Sequence, residues 1–465
     1  MSKPKVGILG LTLDFYEKYD PALRVGREKF VREKVMPALA PIADARFDGG
    51  LFTAEAVEKT IRGYEADGVD VLLVILLTYS PSLISSPSLK RTRLPIVVWN
   101  VQELWAIDEK YGDQELEENH GVHGTFDLCN VLNRAEVGYA YVTSHLNDAT
   151  AIRELDGLIR AGYAASRLRR ARLGLLGYPF PGMGDFGLDT THMASTIGCQ
   201  WVSLSLSEYH LRAVSATDAD VKKLVQDYRS LYDIAPDVTE PDLAATARAE
   251  LALRGIVRDH RLDAYSYQFL AFGEDERTET LPFVAASRLL GEGVGFGGEG
   301  DLISAAHSAM LHWLQPPASF SEIFTIDFAG NSVLLSHMGE AGVGLARKDR
   351  RIRLVRRPAP IVPIRGNQLA LVFGFEPGQA TLTALTLGAG QRWRIIAAPI
   401  TIEKFGPLEH MAVPHSKARP AGDVRDFLTA YATAGGPHHL AVCRGDARRK
   451  LAAVARFLDA DYVEI

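Results

Sequence analysis

Runs of strand length that are apolar at nearly every position, each followed by a longer amphipathic stretch, constrain this chain more than any other feature. Lys5–Leu11, Val69–Leu77, Leu94–Trp99 and Val137–Thr143 are such runs, and helical periodicity separates them through Phe30, Val31, Val35 and Leu39 and from Ala54 to Tyr64. A strand without polar alternation must be covered on both faces, which calls for a parallel sheet between helices. Such sheets bind ligands at the carboxyl ends of their strands, so Thr78-Tyr79-Ser80-Pro81-Ser82 is expected on a pocket side. The alternation resumes at Arg172–Leu176 after the basic stretch Arg167–Arg172, and continues through Trp201–Leu206, a helix at Val221–Leu231, another at Pro241–Asp259, a strand at Leu262–Phe269 and helices at Leu281–Leu290 and Leu302–Gln315.

From about Phe320 the texture changes. Short runs at Ser332–Ser336, Arg351–Val355, Leu369–Phe375, Ala380–Leu387 and Arg392–Ile400 are divided by Gly, Pro and Asn turns, the pattern of antiparallel β structure. A helix at Val424–Thr433, a strand at Leu440–Cys443, a helix at Asp446–Leu458 and a last strand at Tyr462–Ile465 close the chain. The fold class is therefore α/β: two doubly wound parallel-sheet domains of Rossmann or flavodoxin-like type over 1–168 and 169–318, then a mainly antiparallel β-barrel domain over 319–465. A chain of 465 residues is too long for one ordinary core, in keeping with this division.

Charge narrows the function. A net charge of −6 leaves no basic excess to neutralise phosphates, which argues against a general nucleic-acid binder. Cys129, Cys199 and Cys443 lie far apart and fit no paired framework, so a reducing compartment without disulfides is expected. No apolar run approaches the roughly 20 residues of a membrane helix. The chain enters its first strand almost at once, and a cytoplasmic location is expected.

Four places stand out as chemistry. Gly295-Phe296-Gly297-Gly298-Glu299-Gly300-Asp301 sets one carboxylate among glycines, where a ligand can approach the backbone closely, while Asp301 reads as the N-cap of the following helix. The Gly293-x-Gly295-x-Gly297-Gly298 spacing sits far from any opening strand–turn–helix unit and is a weak dinucleotide signal. Glu322 lies near the start of the strand candidate Phe320–Phe328, whose other end carries Asp327, a competitor for any acidic role. His337 ends the apolar run Ser332–Ser336, and His438-His439 follow a Gly-Gly turn. On a strand His438 and His439 face opposite sides, so only one of them is expected at a common site. Two carboxylates and two imidazoles form a mixed oxygen and nitrogen donor set suited to Mn2+, with Co2+ or Fe2+ as alternatives.

These segments resemble the L-arabinose isomerase family, within the wider L-arabinose/L-fucose isomerase superfamily. The resemblance rests on Gly295–Asp301, on Glu322 with Gly330-Asn331-Ser332-Val333-Leu334-Leu335-Ser336-His337-Met338-Gly339-Glu340, and on Gly435-Gly436-Pro437-His438-His439. It implies manganese ligands at Glu299, Glu322, His337 and His439, with the two glutamates also the acid–base pair of an aldose–ketose isomerisation through an enediolate. It further implies a homo-oligomer, trimer or hexamer, with sites at subunit interfaces. His120 and His123 would then reach a neighbour's site, and Phe272, Met183 and His438 would meet the sugar. At the end of the first strand, Gly10-Leu11-Thr12-Leu13-Asp14-Phe15 replaces the family's Gly-Ser-Gln-His-Leu-Tyr-like segment, so the catalytic core is kept while the sugar-reading surfaces differ. Two other readings share the scaffold: a sugar-binding or regulatory protein without turnover, and an epimerase or lyase working through the same enediolate.

Overall fold

The computed structural model describes residues 3–358 and 366–465. The chain forms two compact units, Met1–Arg167 with Ala452–Asp459, and Leu168–Leu451 with Ala460–Ile465.

The first unit is built on a five-stranded parallel sheet of β1 (Lys5–Leu11), β2 (Asp44–Leu51), β3 (Val71–Leu76), β4 (Ile96–Asn100) and β5 (Tyr139–Thr143), in the order β2-β1-β3-β4-β5. All six residues of β3 are buried, as a run without polar alternation requires. Leu9, Leu11, Leu72, Val74, Val98, Ile61 and Leu128 pack into the core between sheet and helices. The strand order reverses between β1 and β3. The loops leaving these two strands meet there, with the Thr12 and Thr78 hydroxyls 2.8 Å apart. β2 is absent from the sequence reading. It is an edge strand in which only Phe47 and Leu51 are buried, and its place comes from pairing with β1 rather than from its own pattern.

The second unit begins with β6 (Arg172–Leu176), β7 (Gln200–Leu204), the two-residue β8 (Asp233–Ile234), β9 (Ala264–Tyr267) and β10 (Gly295–Gly297). Four of these form a parallel sheet ordered β10-β9-β6-β7. The apolar run read as a strand to Phe269 stops at Tyr267, because the Gln268 side chain accepts the Leu270 N–H (3.2 Å) and starts a short helix, Phe269–Glu274. After β10 comes the helix Leu302–Leu314, every residue of which is buried.

The strands that follow are β11 (Ala318–Asp327), β12 (Ser332–Ser336), β13 (Arg353–Arg356), β14 (Leu369–Val372), β15 (Gly378–Leu387), β16 (Trp393–Ile402), β17 (His415–Pro420), β18 (His439–Arg444) and β19 (Asp461–Glu464). Six of them, β15-β18-β11-β12-β17-β16, close through the β15–β16 pairing into an antiparallel barrel. Closure leaves no free edge among these six. β19 joins β16 in parallel, while β13, β14 and β8 form a separate three-stranded sheet. The barrel core gathers Val333, Leu335, Leu382, Ile396, Ile400 and Val442. β17, which completes the circuit, was not read from the sequence: His415-Ser416-Lys417-Ala418-Arg419-Pro420 has the composition of a loop and becomes a strand only between β12 and β16.

Among the described residues no helix is long and apolar enough to cross a membrane. The three cysteines are free, two of them buried.

Candidate metal centre and active site

Barrel register assembles the site. Glu322 on β11 lies directly opposite His439 on β18, and on its other side opposite Ser336, the residue before His337. Three residues far apart in the chain are thus neighbours because two ladders share one strand. His439 Nε2 stands 3.2 Å from Glu322 Oε1 and 3.8 Å from Glu299 Oε2.

Glu299 arrives from the loop between β10 and the helix Leu302–Leu314. Its φ is +60°, a left-handed conformation that costs a non-glycine residue of order 1–3 kcal/mol and persists only where its surroundings impose it. Those surroundings are specific. The Glu299 carbonyl accepts the Phe180 N–H (2.9 Å), and Gly300, itself at φ +87°, lies so close to Tyr178 and Pro179 that a Cβ there would stand 2.6 Å from backbone. A Cβ at Gly298 would stand 2.9 Å from His337 Nε2. Glycine at 298 leaves open the space in front of that nitrogen.

Each imidazole is oriented by a carboxylate behind it. Asp301 is the N-cap expected of it: Oδ1 accepts the N–H groups of Ile303 (2.8 Å) and Ser304 (2.9 Å). Its other oxygen does something the sequence did not disclose, accepting from His439 Nδ1 at 2.9 Å. His337 Nδ1 is 2.6 Å from Glu340 Oε2, and the Tyr267 hydroxyl donates to the second oxygen of Glu340. With both Nδ1 atoms engaged, both Nε2 atoms are turned into the site. Carboxylate-backed histidines of this kind are the arrangement that fixes tautomer and ring angle in metal sites.

His438 corrects the expectation that only one of the paired histidines reaches the site. β18 begins at His439, so His438 precedes the strand and escapes its alternation. The two rings lie 4.1 Å apart, and His438 Nε2 is 3.9 Å from Glu299 Oε2 and 3.8 Å from Glu322 Oε1. Glu299, His438 and His439 form one group whose ligand atoms all lie within 4.8 Å of one another, and Glu322, His337 and His439 form another, with His439 common to both.

Burial on its own would raise the Glu322 carboxyl, but the imidazoles of His337, His439 and His438 outweigh it and hold the group below its ordinary value. Burial would likewise lower His439, yet Asp301 and Glu322 push it up to about 10. His337 is raised for the same reason, with Glu340 and Glu322 overcoming desolvation. Three buried atoms here have no hydrogen-bond partner: His337 Nε2, His439 Nε2 and Glu299 Oε2. Leaving such atoms unsatisfied costs about 1–3 kcal/mol each, and a divalent cation with oxygen and nitrogen donors would satisfy all three. The residues fit such an ion.

Asp327, the competing acid, accepts the Gly330 N–H and pairs with Lys417 at the far end of β11. Phe272 has no exposed surface and packs edge-on against Tyr209 and Tyr267 in the core. Met183 is half-buried on the loop that carries Phe180, to whose carbonyl its N–H is bonded (3.3 Å). His120 and His123 belong to the first unit. There His120 Nε2 is 2.8 Å from the Tyr16 hydroxyl, and His123 stacks on Tyr79 with ring centroids 4.8 Å apart. Tyr16 and Tyr79 follow β1 and β3, so this cluster lies at the carboxyl ends of the strands flanking the switch in strand order.

Comparison with known proteins is decisive for the family. Residues 189–315 match the L-arabinose isomerase central domain and 317–461 the L-arabinose isomerase C-terminal domain. The chain belongs to the L-arabinose isomerase family. It is 27% identical over 417 residues to the L-arabinose isomerase of Acidothermus cellulolyticus, covering 86% of this chain and 82% of that one. It is 25% identical over 413 residues to that of Mycolicibacterium smegmatis, covering 86% and 81%. A periplasmic solute-binding protein from Actinobacillus succinogenes with bound D-allose matches at 14% identity with a TM-score of 0.16, covering 67% of this chain and 92% of that one, too low a score for a shared fold. Membership of this family makes the protein an isomerase, an intramolecular oxidoreductase. The sequence reading missed four contacts to the site histidines: those of Asp301 with His439, Glu340 with His337, Asp185 with His438 Nδ1 (2.5 Å), and Phe186, stacked on His439. Glu340 alone carried a local signal, three residues after His337, while the others are joined to the histidines only by folding.

Proposed function

We propose that this protein interconverts an aldose and a ketose, a pentose or related sugar, through an enediolate, with Glu299 and Glu322 as the acid–base pair. The observation that carries the reading is the convergence of two buried, unpartnered imidazole nitrogens and one unpartnered carboxylate oxygen beside Glu322. A divalent cation held by Glu299, Glu322, His337 and His439, Mn2+ by the donor set, would polarise the sugar carbonyl and offset negative charge developing on its oxygens.

The chain's own residues supply the rest. One glutamate removes the proton from C2, and the other carries the hydroxyl proton from O2 to O1. The first proton is returned at C1, so that no atom or electron is gained or lost. Asp301 and Glu340 hold His439 and His337 in the tautomer with Nε2 free. His438, half-exposed beside both glutamates, meets a substrate oxygen. The relatives' substrate, L-arabinose, is the first sugar to test; the altered segment Gly10–Phe15 favours a related pentose. In the same reading the protein is a cytoplasmic homo-oligomer, trimer or hexamer, with α/β domains over 1–168 and 169–318 and a β-rich domain over 319–465. His120 and His123 then serve a neighbouring subunit's site, and Met183 and Phe272 line or back the sugar pocket.

The test strips the protein with a chelator, restores Mn2+ and offers aldoses and ketoses in deuterated water. Metal-dependent entry of deuterium beside the carbonyl, abolished in Glu299→Gln, is expected. An epimeric product would instead indicate an epimerase on the same enediolate. Absence of exchange with every sugar, despite metal binding, would point to a binding protein.

A further inference from the structure

The loop from Gly177 to Asp189, between β6 and the helix Thr190–Thr196, supplies two side chains to the histidine pair. Phe186 is buried and stacks face to face on His439, with ring centroids 5.4 Å apart and planes within 6°. Asp185 uses a single oxygen twice: Oδ2 accepts the His438 backbone N–H at 3.0 Å and lies 2.5 Å from His438 Nδ1. The same loop touches the other side of the site, where the Phe180 N–H reaches the carbonyl of Glu299.

His438 needs such a hold. It follows the Gly435-Gly436-Pro437 turn, lies outside the β18 ladder, and its side chain is 39% exposed. A ring in that position could swing into solvent. Bonded at both its backbone and its Nδ1 by one carboxylate oxygen, it presents Nε2 toward Glu299 and Glu322, 3.9 and 3.8 Å away.

We propose that Asp185 is a positioning residue of the isomerase: its carboxylate fixes the imidazole of His438 so that Nε2 faces the substrate between the two glutamates. The site then holds three carboxylate-backed histidines, two turned toward the cation position and the third, His438 with Asp185, toward the sugar. The inference rests on the reading in which His438 meets a substrate oxygen. It assigns to Asp185 a task separate from holding metal, because its carboxylate bonds to His438 and not to His439.

The experiment compares Asp185→Ala, Asp185→Asn, His438→Ala and the Asp185→Ala/His438→Ala double variant with wild type, all loaded with Mn2+. Each is assayed for deuterium exchange and turnover on L-arabinose, or on the aldopentose that wild type prefers, and for Mn2+ affinity by titration. Asp185→Ala is expected to lower kcat about 10- to 100-fold, the usual effect of removing a partner that orients a working histidine. Mn2+ affinity should stay within about threefold of wild type, since none of the four proposed ligands loses its own partner. Asp185→Asn, which keeps an oxygen acceptor in place, should recover part of the loss. In the His438→Ala background, removing Asp185 should change kcat by no more than about twofold, because a residue that acts through another has nothing left to act on. An equal loss in both backgrounds, or a fall in Mn2+ affinity matching the fall in kcat, would overturn the assignment. Wild type inert toward every sugar would overturn the catalytic reading and this inference with it, whereas an active wild type with a fully active Asp185→Ala would overturn the inference alone.

Discussion

Asp301 has two functions on two oxygens, and Asp301→Asn separates them. Oδ1 caps the helix Leu302–Leu314 through two N–H groups, and Oδ2 accepts from His439 Nδ1, both side chains being almost wholly buried. Asparagine caps as well as aspartate, so the helix end should lose little; the cap is worth about 1 kcal/mol. To cap, the Asn oxygen must take the Oδ1 position, which turns its NH2 toward His439. His439 must then accept at Nδ1 and carry its proton on Nε2, the atom that faces Glu322 and Glu299. A nitrogen bearing a proton cannot be a ligand. The expected result is a loss of Mn2+ affinity of about 10- to 100-fold, equivalent to about 1.4–2.7 kcal/mol. Stability of the metal-free protein should change by less than about 1 kcal/mol. Asp301→Ala should lose metal affinity and in addition about 2 kcal/mol or more of stability, from the missing cap and the orphaned Nδ1. Isothermal titration with Mn2+ and denaturant unfolding of the metal-free proteins measure the two effects separately. Unchanged Mn2+ affinity in Asp301→Asn would refute the orientation argument and leave Asp301 a helix cap only.

Gly298→Ala puts a methyl group 2.9 Å from His337 Nε2 and 3.2 Å from Phe320, and should cost about 1–3 kcal/mol of stability with at least a tenfold loss of metal affinity, read by thermal melts with and without Mn2+. Removing metal by chelation should lower the melting temperature, since a ligand present at a hundred times its Kd stabilises by about 2.7 kcal/mol; a melt indifferent to Mn2+ would count against the ion site. Burial pushes His307 and His312 down to about 4 from an ordinary 6.5, so the unfolded chain binds protons that the folded chain refuses. Stability is then fully present above pH 6.5 and falls as pH drops toward 4, by up to about 1.4 kcal/mol per pH unit for each histidine. His312→Leu should therefore gain on wild type progressively as pH is lowered through that window, and a pH-independent difference would contradict the burial argument. Asp242, buried beside Arg356, Asn367 and Thr239, is held well below the usual carboxylate range: burial opposes this, and those hydrogen bonds outweigh it. Its contribution is present above about pH 3.8 and disappears as pH falls through its lowered value, so the cost of Asp242→Asn in urea unfolding should shrink toward strong acid.

Much of the architecture was legible because apolar patterning is local. β3 reads as a strand covered on both faces from its own six residues, and the turn-rich runs after Phe320 read as antiparallel without knowledge of their partners. The elements that escaped were those whose structure is lent by neighbours: β2, an edge strand with few buried side chains, and β17, a polar segment ordered between β12 and β16. The same contrast holds at the site. Glu299 among glycines, His337 at a strand end and His439 after a glycine turn carried local signatures, whereas the bonds of Asp301 to His439 and of Asp185 to His438 had none. Asp185 and His438 are 253 residues apart, and no spacing rule connects them.

What the sequence by itself determined is the fold class and, through short segments such as Gly295–Asp301 and Gly435–His439, the resemblance to the family, since hydrophobic period, turn chemistry and motif are properties of short segments. What only the tertiary structure decided is which atoms face one another. Placing Glu322 opposite His439 required the β11–β18 register, and orienting His439 required a carboxylate from a helix cap 138 residues away in the chain. Bringing His438 into the same site required β18 to begin at His439, which leaves His438 ahead of the strand and outside its alternation. Pair distances and donor directions arise from packing between segments remote in the chain, and local propensity contains no information about them.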